Sequence, residues 1–498
     1  MHTHLVWLRK DLRIHDNKAL YAACEDYTAR VLTIFIATPK QWQQQNISKR
    51  LAAFMFDNLK LLANELLRLG IVLHYYQCAN FAEQIDLLLT FCQREKIDKL
   101  FYNYEYELNE SERDKEMKKR LPNNILCQGF DDGFLISPGS VQTIINKEMF
   151  KIYTPFRNAC LHHLKENEPI CLPAPAIRQK NMYQYNNKSI SIITPFSYPS
   201  MLSEDYYVAG EKVGIYRLDN FFNKQLKYYS LQRNIAYLDA TSRISAWLAI
   251  GVLSPRQCYH LLLKKFNFLG IINDINASTW LNELIWRDFY RHTMILYPKI
   301  FHHKHDPDID ISSWTKYIPW HNNKSVLFIA WCKGRTGYPF IDAAMRKLAK
   351  IGWINNRLRM ITASFLIKDL LIDWRHGEHY FMSQLIDSDF ASNHGSWQWA
   401  VGMDYNTNPY YRIFNPTLQG KKFDSNGNFI KQWLPELKLV PNKYLYQPHI
   451  WLKAQNIIVD YPYPIVDHSE ARKRILNSYK IAYYKAARTS SGSYPLDQ

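Results

Sequence analysis

The sequence predicts two architectures in series: a doubly wound parallel α/β sheet domain, then a larger all-α domain. Three observations carry this. Short β-branched or aromatic runs alternate with amphipathic stretches over the first 130 residues. Beyond Gly210 strand signals nearly vanish, and amphipathic helical patterns continue to about Arg488. Twelve of the 14 tryptophans fall in that second stretch, between Trp247 and Trp451. Alternation implies helices on both faces of a parallel sheet, whereas helical periodicity without strands implies helix packed on helix.

Five runs have strand character, 5–8, 31–37, 71–76, 99–104 and 125–128, the first reading Leu5-Val6-Trp7-Leu8. Between them lie helical patterns near 17–25, 48–69, 81–95 and 109–120. Such a sheet holds ligands at the carboxyl ends of its strands. No G-x-G-x-x-G follows the first strand and no G-x-x-x-x-G-K-[ST] occurs, which disfavours a glycine-rich phosphate turn. From 131 to 207 the pattern turns irregular, with Pro138, Pro155, Pro169, Pro173, Pro175, Pro195 and Pro199 and a polar stretch at 179–191. This predicts a connector over the surface. Residues 208–488 form the helical domain, and 489–498 read as a short, polar, disordered tail. No internal repeat is visible.

A chain of 498 residues that is 47% hydrophobic and 21% charged is globular and long enough for two or three domains. It has no run of about 18 apolar residues, and Met1-His2-Thr3-His4 leads into the first strand without a secretory pattern. The expectation is a cytoplasmic protein with no membrane segment. The eight cysteines form no C-x-x-C pair and no Cys/His ligand spacing, which predicts reduced thiols and no metal site. The net charge of +17 points to a polyanion such as a phosphate backbone. A composition rich in Asn, Lys, Ile and Tyr also fits AT-biased coding, so charge alone leaves both explanations open.

Tryptophan buries a large area and its indole N–H needs a partner, so four between Trp353 and Trp399 point either to a helical core or to aromatics serving redox and stacking. The segment Ala240-Thr241-Ser242-Arg243-Ile244-Ser245 opens a helical pattern running to Gly251; its hydroxyls suit helix capping or phosphate binding. In 280–291 helical spacing puts Glu283, Trp286, Arg287 and Tyr290 on one side. That face reads either as a cleft with a carboxyl, an indole and a guanidinium, or as an amphipathic helix with a Glu283–Arg287 pair. Asn356-Arg357-Leu358-Arg359-Met360 precedes a helical run at 361–374, and Asp387 to Gly395 precedes Trp397-Gln398-Trp399. Two carboxylates and an amide can hydrogen-bond a polar ring edge, with Arg359 neutralising one carboxylate.

Taken in order, Leu5 to Arg13, Tyr102-Asn103-Tyr104-Glu105-Tyr106-Glu107, Thr241-Ser242-Arg243, Trp280 to His292, and Gly337-Tyr338-Pro339 to Arg412-Ile413-Phe414-Asn415-Pro416 resemble the DNA photolyase and cryptochrome family. The resemblance covers nearly the whole chain and is to class I cyclobutane pyrimidine dimer photolyases of bacterial type. It implies an antenna domain followed by a helical domain that holds FAD. Carried onto this sequence, Tyr229, Thr241, Ser242, Arg243 and Ser245 would hold the diphosphate region of FAD. Asn356, Arg359, Asp387, Asp389 and Asn393 would surround its ribose and ring system, with Asn393 at flavin N5.

The resemblance further implies that a flipped dimer sits between Trp286 and Trp399, touched by Glu283, Asn356 and Met360. Arg233, Arg287, Arg357 and Arg412 would grip flanking phosphates. Trp397, Trp374 and Trp320 would form an electron relay to the surface. Asn109 and Glu110 would contact an antenna, 5,10-methenyltetrahydrofolate. The implied partner is dimer-containing DNA, and the implied state a monomer. The chain departs from the family pattern at 302–310, and His394 and Ser396 stand where asparagine and glycine are common.

Two other functions compete. A cryptochrome-type blue-light photoreceptor would photoreduce flavin without repairing DNA, but the set Glu283, Trp286, Asn356, Met360 and Trp399 favours repair, and the tail after Arg488 is short. Repair of the 6-4 photoproduct calls for pocket histidines, where this chain has Asn356 and Met360.

Overall fold

Residues 2–143, 146–178, 193–201, 207–298, 314–321, 325–403 and 413–490 are described by a computed structural model. Five strands, β1 (Thr3–Leu8), β2 (Arg30–Ala37), β3 (Val72–Gln77), β4 (Lys99–Asn103) and β5 (Leu126–Phe130), form one sheet in the order β3-β2-β1-β4-β5. Every pairing is parallel, and Trp7 in β1 lies opposite Ile34 of β2 and Tyr102 of β4. All six residues of β1 are buried, as a central strand covered on both faces requires.

The crossover helices are Lys18–Cys24, Lys49–Arg68, Phe81–Arg94 and Leu108–Arg120, with a short helix Pro39–Gln44 before the second. Asn17, Ser48 and Asn80 start three of them, each side chain accepting from a backbone N–H three residues on. Leu5, Trp7, Leu32, Ile34, Leu88, Phe91, Leu100 and Tyr102 belong to one core of this domain. Strand order reverses direction between β1 and β4, which makes the carboxyl ends of these two strands the switch point where such sheets take ligands.

Three sequence expectations are corrected here. The connector contains a 14-residue helix, Tyr153–Glu166. Pro155 is its third residue, where a proline displaces no intrahelical bond because the first N–H groups have no helical partner. The helix expected over 240–251 is confined to Ser245–Ala249, and its cap residue, Ile244, makes no side-chain capping bond. Arg243 takes a left-handed φ of 51°, which stops a helix from running through it. The helix expected at 361–374 starts at Asn356, because the Asn355 carboxamide caps it at Leu358 N, 3.0 Å. It then passes into a π-helical turn, Phe365–Asp369, closed by Leu370 N donating to Phe365 O at 3.0 Å. Trp374 opens a separate helix, Trp374–Gln384.

The chain forms two compact units, neither continuous in sequence. The first comprises Met1–Ser230, Thr241–Phe301 and Leu385–Ala391. It carries the sheet and helices that include Glu211–Lys224, Pro255–Lys265 and Ile275–Leu296. The second comprises Leu231–Ala240, His302–Gln384 and Ser392–Gln498. Its described part is helical, built on buried residues such as Trp331, Ile341, Met345, Leu358, Leu366, Phe381, Trp397 and Phe429. Among the described residues no helix is long and apolar enough to cross a membrane, and no cluster of His, Cys, Asp and Glu is arranged to hold a metal ion. All eight cysteines are free thiols.

Candidate flavin, DNA and antenna sites

At the switch point, the turns after β1 and β4 bring together a buried charged cluster. Arg9 donates two bonds to Asp114, at 2.7 and 2.9 Å, while Arg113 bonds Asp114 and Glu105. Lys10 pairs with Glu107 at 2.9 Å. Glu110, 3% exposed, accepts from Gln45 Nε2 at 2.7 Å through Oε1, while its Oε2 is buried with no partner. Burial, reinforced by Glu107 and Glu105 against the pull of Lys10, pushes the Glu110 carboxyl up to about 7. A buried acceptor without a donor is costly unless a ligand supplies one. Asn109, beside it, is partly exposed in the helix Leu108–Arg120.

The Thr241–Ser245 segment lies in the first unit as a turn rich in polar groups. Trp280 Nε1 donates to Ser242 Oγ at 3.3 Å, and Arg217 donates to the Ser242 carbonyl at 3.0 Å. Thr241 Oγ1 is buried with no hydrogen-bond partner. An orphaned hydroxyl beside serine hydroxyls and the Arg243 guanidinium fits a diphosphate, which accepts hydrogen bonds and no other role. Tyr229 is buried against Phe221 in the same unit. Asp387 is buried, and Asp389 pairs with Arg291 at 2.6 Å. The sequence reading missed Arg291, although it lies one helical turn after Arg287 on the face already singled out.

The helix Ile275–Leu296 buries Leu281, Leu284, Ile285, Asp288, Phe289 and His292 and leaves Glu283, Trp286, Arg287 and Tyr290 partly exposed. The predicted common side is therefore present. The Trp286 ring lies flat on Tyr153, centroids 3.4 Å apart and 6° from parallel. Arg287 turns inward: its side chain is 12% exposed, donates to Gly133 O at 2.7 Å and lies 3.6 Å from Asp288. Burial and the neighbouring Arg291 lower it to about 10, still cationic at neutral pH.

In the second unit, the helix Asn356–Ser364 carries Asn356 exposed and Arg357, Arg359 and Met360 partly exposed. Arg359 Nε donates to Ile354 O at 3.0 Å. The Asn355 amide reaches the Arg233 carbonyl at 3.5 Å, and Arg357 sits over Phe423 at 5.1 Å. Burial first, and then repulsion from Arg233, hold Arg357 below its usual value. Two neighbouring guanidiniums that repel each other are relieved by an anion, the expected signature of a phosphate contact.

The helix Phe390–Val401 carries the remaining residues. Asn393 Nδ2 donates to the Glu378 carbonyl at 3.2 Å, and His394 Nδ1 meets the Glu378 carboxyl at 2.7 Å. His394 also meets Gln398 at 3.0 Å and packs edge-on against Trp374, 5.3 Å between centroids. Glu378, which the sequence reading overlooked, is thus the buried partner of the departing residue His394. Ser396, the other departure, donates to Ser392 O at 2.6 Å and is absorbed by its own helix. Trp397 and Trp374 are buried, Trp320 and Trp399 partly exposed. Trp397 is boxed by Phe381 at 5.1 Å and Trp331 at 6.4 Å. Arg412 and 302–310 lie outside the described residues.

Comparison with known proteins places the chain in a family. Residues 4–176 match the DNA photolyase family model, and 280–481 match the model for the FAD binding domain of DNA photolyase. A deoxyribodipyrimidine photo-lyase of Salmonella typhimurium is 47% identical over 97% of this chain and 99% of its own. The crystal structure of a bacterial class III photolyase from Agrobacterium tumefaciens overlaps with a TM-score of 0.80 at 30% identity, covering 97% of this chain and 98% of its own. A Synechocystis cryptochrome overlaps equally well, TM-score 0.81, at 27% identity over 95% of this chain and 99% of its own. With sheet, helical unit and both halves of the sequence matched to one family, the chain belongs to the DNA photolyases.

Proposed function

We propose that this chain is a light-driven deoxyribodipyrimidine photolyase, which binds FAD and splits cyclobutane pyrimidine dimers in DNA. The observation that carries the proposal is the 47% identity, over 97% of the chain, to a protein of that name. The cryptochrome fold overlaps equally well but at 27% identity; fold alone does not separate repair from signalling, and the sequence favours repair.

When bound and reduced, FAD supplies on illumination the electron that opens the cyclobutane ring and receives it back afterwards. The chain's own residues do the rest. Thr241, Ser242, Arg243 and Ser245, with Tyr229, hold the diphosphate region, and Asn356, Arg359, Asp387, Asp389 and Asn393 hold the ribose and ring system. The orphaned Thr241 hydroxyl supports the first group, and the Arg291 pairing that fixes Asp389 supports the second. Trp286 and Trp399 offer indole faces to the extruded dimer, which offset an unstacking cost of a few kcal/mol. Asn356 and Met360 line the pocket, and Glu283 hydrogen-bonds the polar edge of a base in the dimer, where charge develops.

Arg233 and Arg357, with Arg287 and Arg412, contact flanking phosphates. Trp397, Trp374 and Trp320 carry electrons to an oxidised cofactor; the first two are buried and Trp320 is partly exposed, which suits a path that ends at the surface. Asn109 and Glu110 hold a methenyltetrahydrofolate antenna, and the unpartnered Glu110 Oε2 is the acceptor a pterin amino group requires. In this reading 1–130 is the antenna domain, 131–207 the connector and 208–488 the flavin and DNA domain, in a cytoplasmic monomer. Illumination of the purified, reduced protein with oligonucleotides carrying a cyclobutane dimer or a 6-4 product tests the reading. Dimer reversal only in the light supports it; reversal in the dark, or conversion of the 6-4 product alone, overturns it.

A further inference from the structure

We propose that Tyr153 is a positioning residue for lesion recognition, backing one face of Trp286 so that the indole presents a single face to the extruded pyrimidine dimer. The proposal deepens the repair reading and rests on its assignment of Trp286 to the dimer.

The contact differs in kind from the other aromatic packing around this helix. Tyr153 and Trp286 are 6° from parallel with centroids 3.4 Å apart, a full face-to-face contact. Phe289 meets both rings edge-on, at 5.7 Å and 77° from Tyr153 and at 5.7 Å and 84° from Trp286. Aromatic pairs in cores prefer the edge-on or offset arrangement, so a flush stack on a partly exposed indole marks a surface shaped for a further ring. Trp286 keeps part of its area open despite the stack.

Tyr153 is itself held at three points. Its hydroxyl donates to the Asn282 carbonyl at 3.2 Å, one helical turn before Trp286. Its ring meets Phe289. Its helix, Tyr153–Glu166, is seated by Phe156, which packs against Phe289 at 5.4 Å and His292 at 5.0 Å. The phenol is pushed above its ordinary value by burial and then by the Glu283 carboxylate, so Tyr153 lies close enough to feel the second residue assigned to the dimer.

An indole fixed in this way loses little freedom when a base stacks on it, which strengthens binding by preorganisation. The benefit belongs to the flipped lesion alone; undamaged duplex, held through its phosphates, does not draw on it.

The test uses the full-length, FAD-loaded protein and an oligonucleotide duplex with or without one cyclobutane dimer. Tyr153→Leu is expected to weaken binding of the dimer duplex by about tenfold, leaving flavin content, affinity for the undamaged duplex and repair per absorbed photon at saturating substrate unchanged. Tyr153→Phe retains the stacking ring and is expected to restore discrimination to within about twofold of the parent. Trp286→Ala is the control for the underlying assignment. If Trp286→Ala loses discrimination while Tyr153→Leu keeps it, the positioning role is wrong and the repair reading stands. If Trp286→Ala also keeps it, Trp286 does not face the dimer and both fall. Loss of flavin or of undamaged-duplex binding in Tyr153→Leu makes the residue a general structural support and overturns the proposal.

Discussion

Gly377 lies in the helix Trp374–Gln384 against the ring of Trp397, and Gly377→Ala measures how tightly that indole is held. A Cβ at this position would fall 2.6 Å from Trp397 Cζ3 and 2.5 Å from Leu366 Cδ2, where ordinary contacts are 3.4–4 Å. One of the two must move by about an ångström. Neither has room: Leu366 and Trp397 are fully buried, and Phe381 and Trp331 flank the indole. Alanine is favoured over glycine in a helix by about 1 kcal/mol, while forcing a methyl into a packed core costs about 1–3 kcal/mol. With both neighbours pinned, the steric cost falls in the upper part of that range, about 2–3 kcal/mol, leaving a net loss of about 1–2 kcal/mol, a fall of roughly 1–2 °C in melting temperature for a chain of 498 residues.

The tilted indole should also slow photoreduction of oxidised FAD severalfold, part of the way to the block expected of Trp397→Phe. Repair by chemically reduced protein should persist in both variants, because the relay serves only an oxidised cofactor. Thermal unfolding followed by circular dichroism and blue-light bleaching of oxidised flavin give the two readouts. A variant as stable as the parent, or more stable, refutes the packing argument. Lost stability with normal photoreduction removes Trp397 from the relay.

Three further outcomes are expected. Glu283→Ala should lower repair per absorbed photon with FAD content unchanged, as measured by actinometry on dimer oligonucleotides; an unchanged yield would remove Glu283 from the site. Arg357→Ala should weaken damaged and undamaged DNA together and reduce the salt slope of binding by about one unit, whereas a loss confined to damaged DNA would put this arginine on the lesion. Glu110 titrates at about 7 when folded against an ordinary value of 4.5, so across that window the folded chain holds a proton the unfolded chain has released. Stability contributed there falls as pH rises, and urea unfolding at pH 5 and 8 should show Glu110→Gln gaining on the parent at the higher pH. Equal slopes would locate the titration elsewhere.

The sheet was legible almost to the residue because its signals are local. Buried parallel strands need continuous apolar runs, and Asn17, Ser48 and Asn80 announce helix starts by chemistry that acts over three residues. The family motifs pointed to candidate site residues, but the partners of those residues left no sequence signal. Arg291 and Asp389 are 98 positions apart, and Tyr153 meets Trp286 from a helix hidden behind a proline-rich stretch. His394 could be singled out as a departure, yet nothing near it in the sequence pointed to Glu378, 16 positions earlier. The π-helical turn at Phe365–Asp369 leaves no periodic trace either, since one widened turn only shifts the phase of the pattern around it.

The discontinuous first unit has a consequence for biosynthesis. The last strand of the sheet is complete at Phe130, but the unit containing it also needs Thr241–Phe301 and Leu385–Ala391, and the Ser48 hydroxyl donates to the Leu385 carbonyl at 2.6 Å. At ribosomal rates of about 5–20 residues per second, the nascent sheet therefore waits roughly ten seconds to a minute before translation delivers its final segment. Throughout that interval the surfaces meant for the later segments face solvent, where chaperones or self-association compete for them. Pausing codons or a nick within this stretch should reduce the yield of native protein far more than the same insult placed in the helix His468–Ser490.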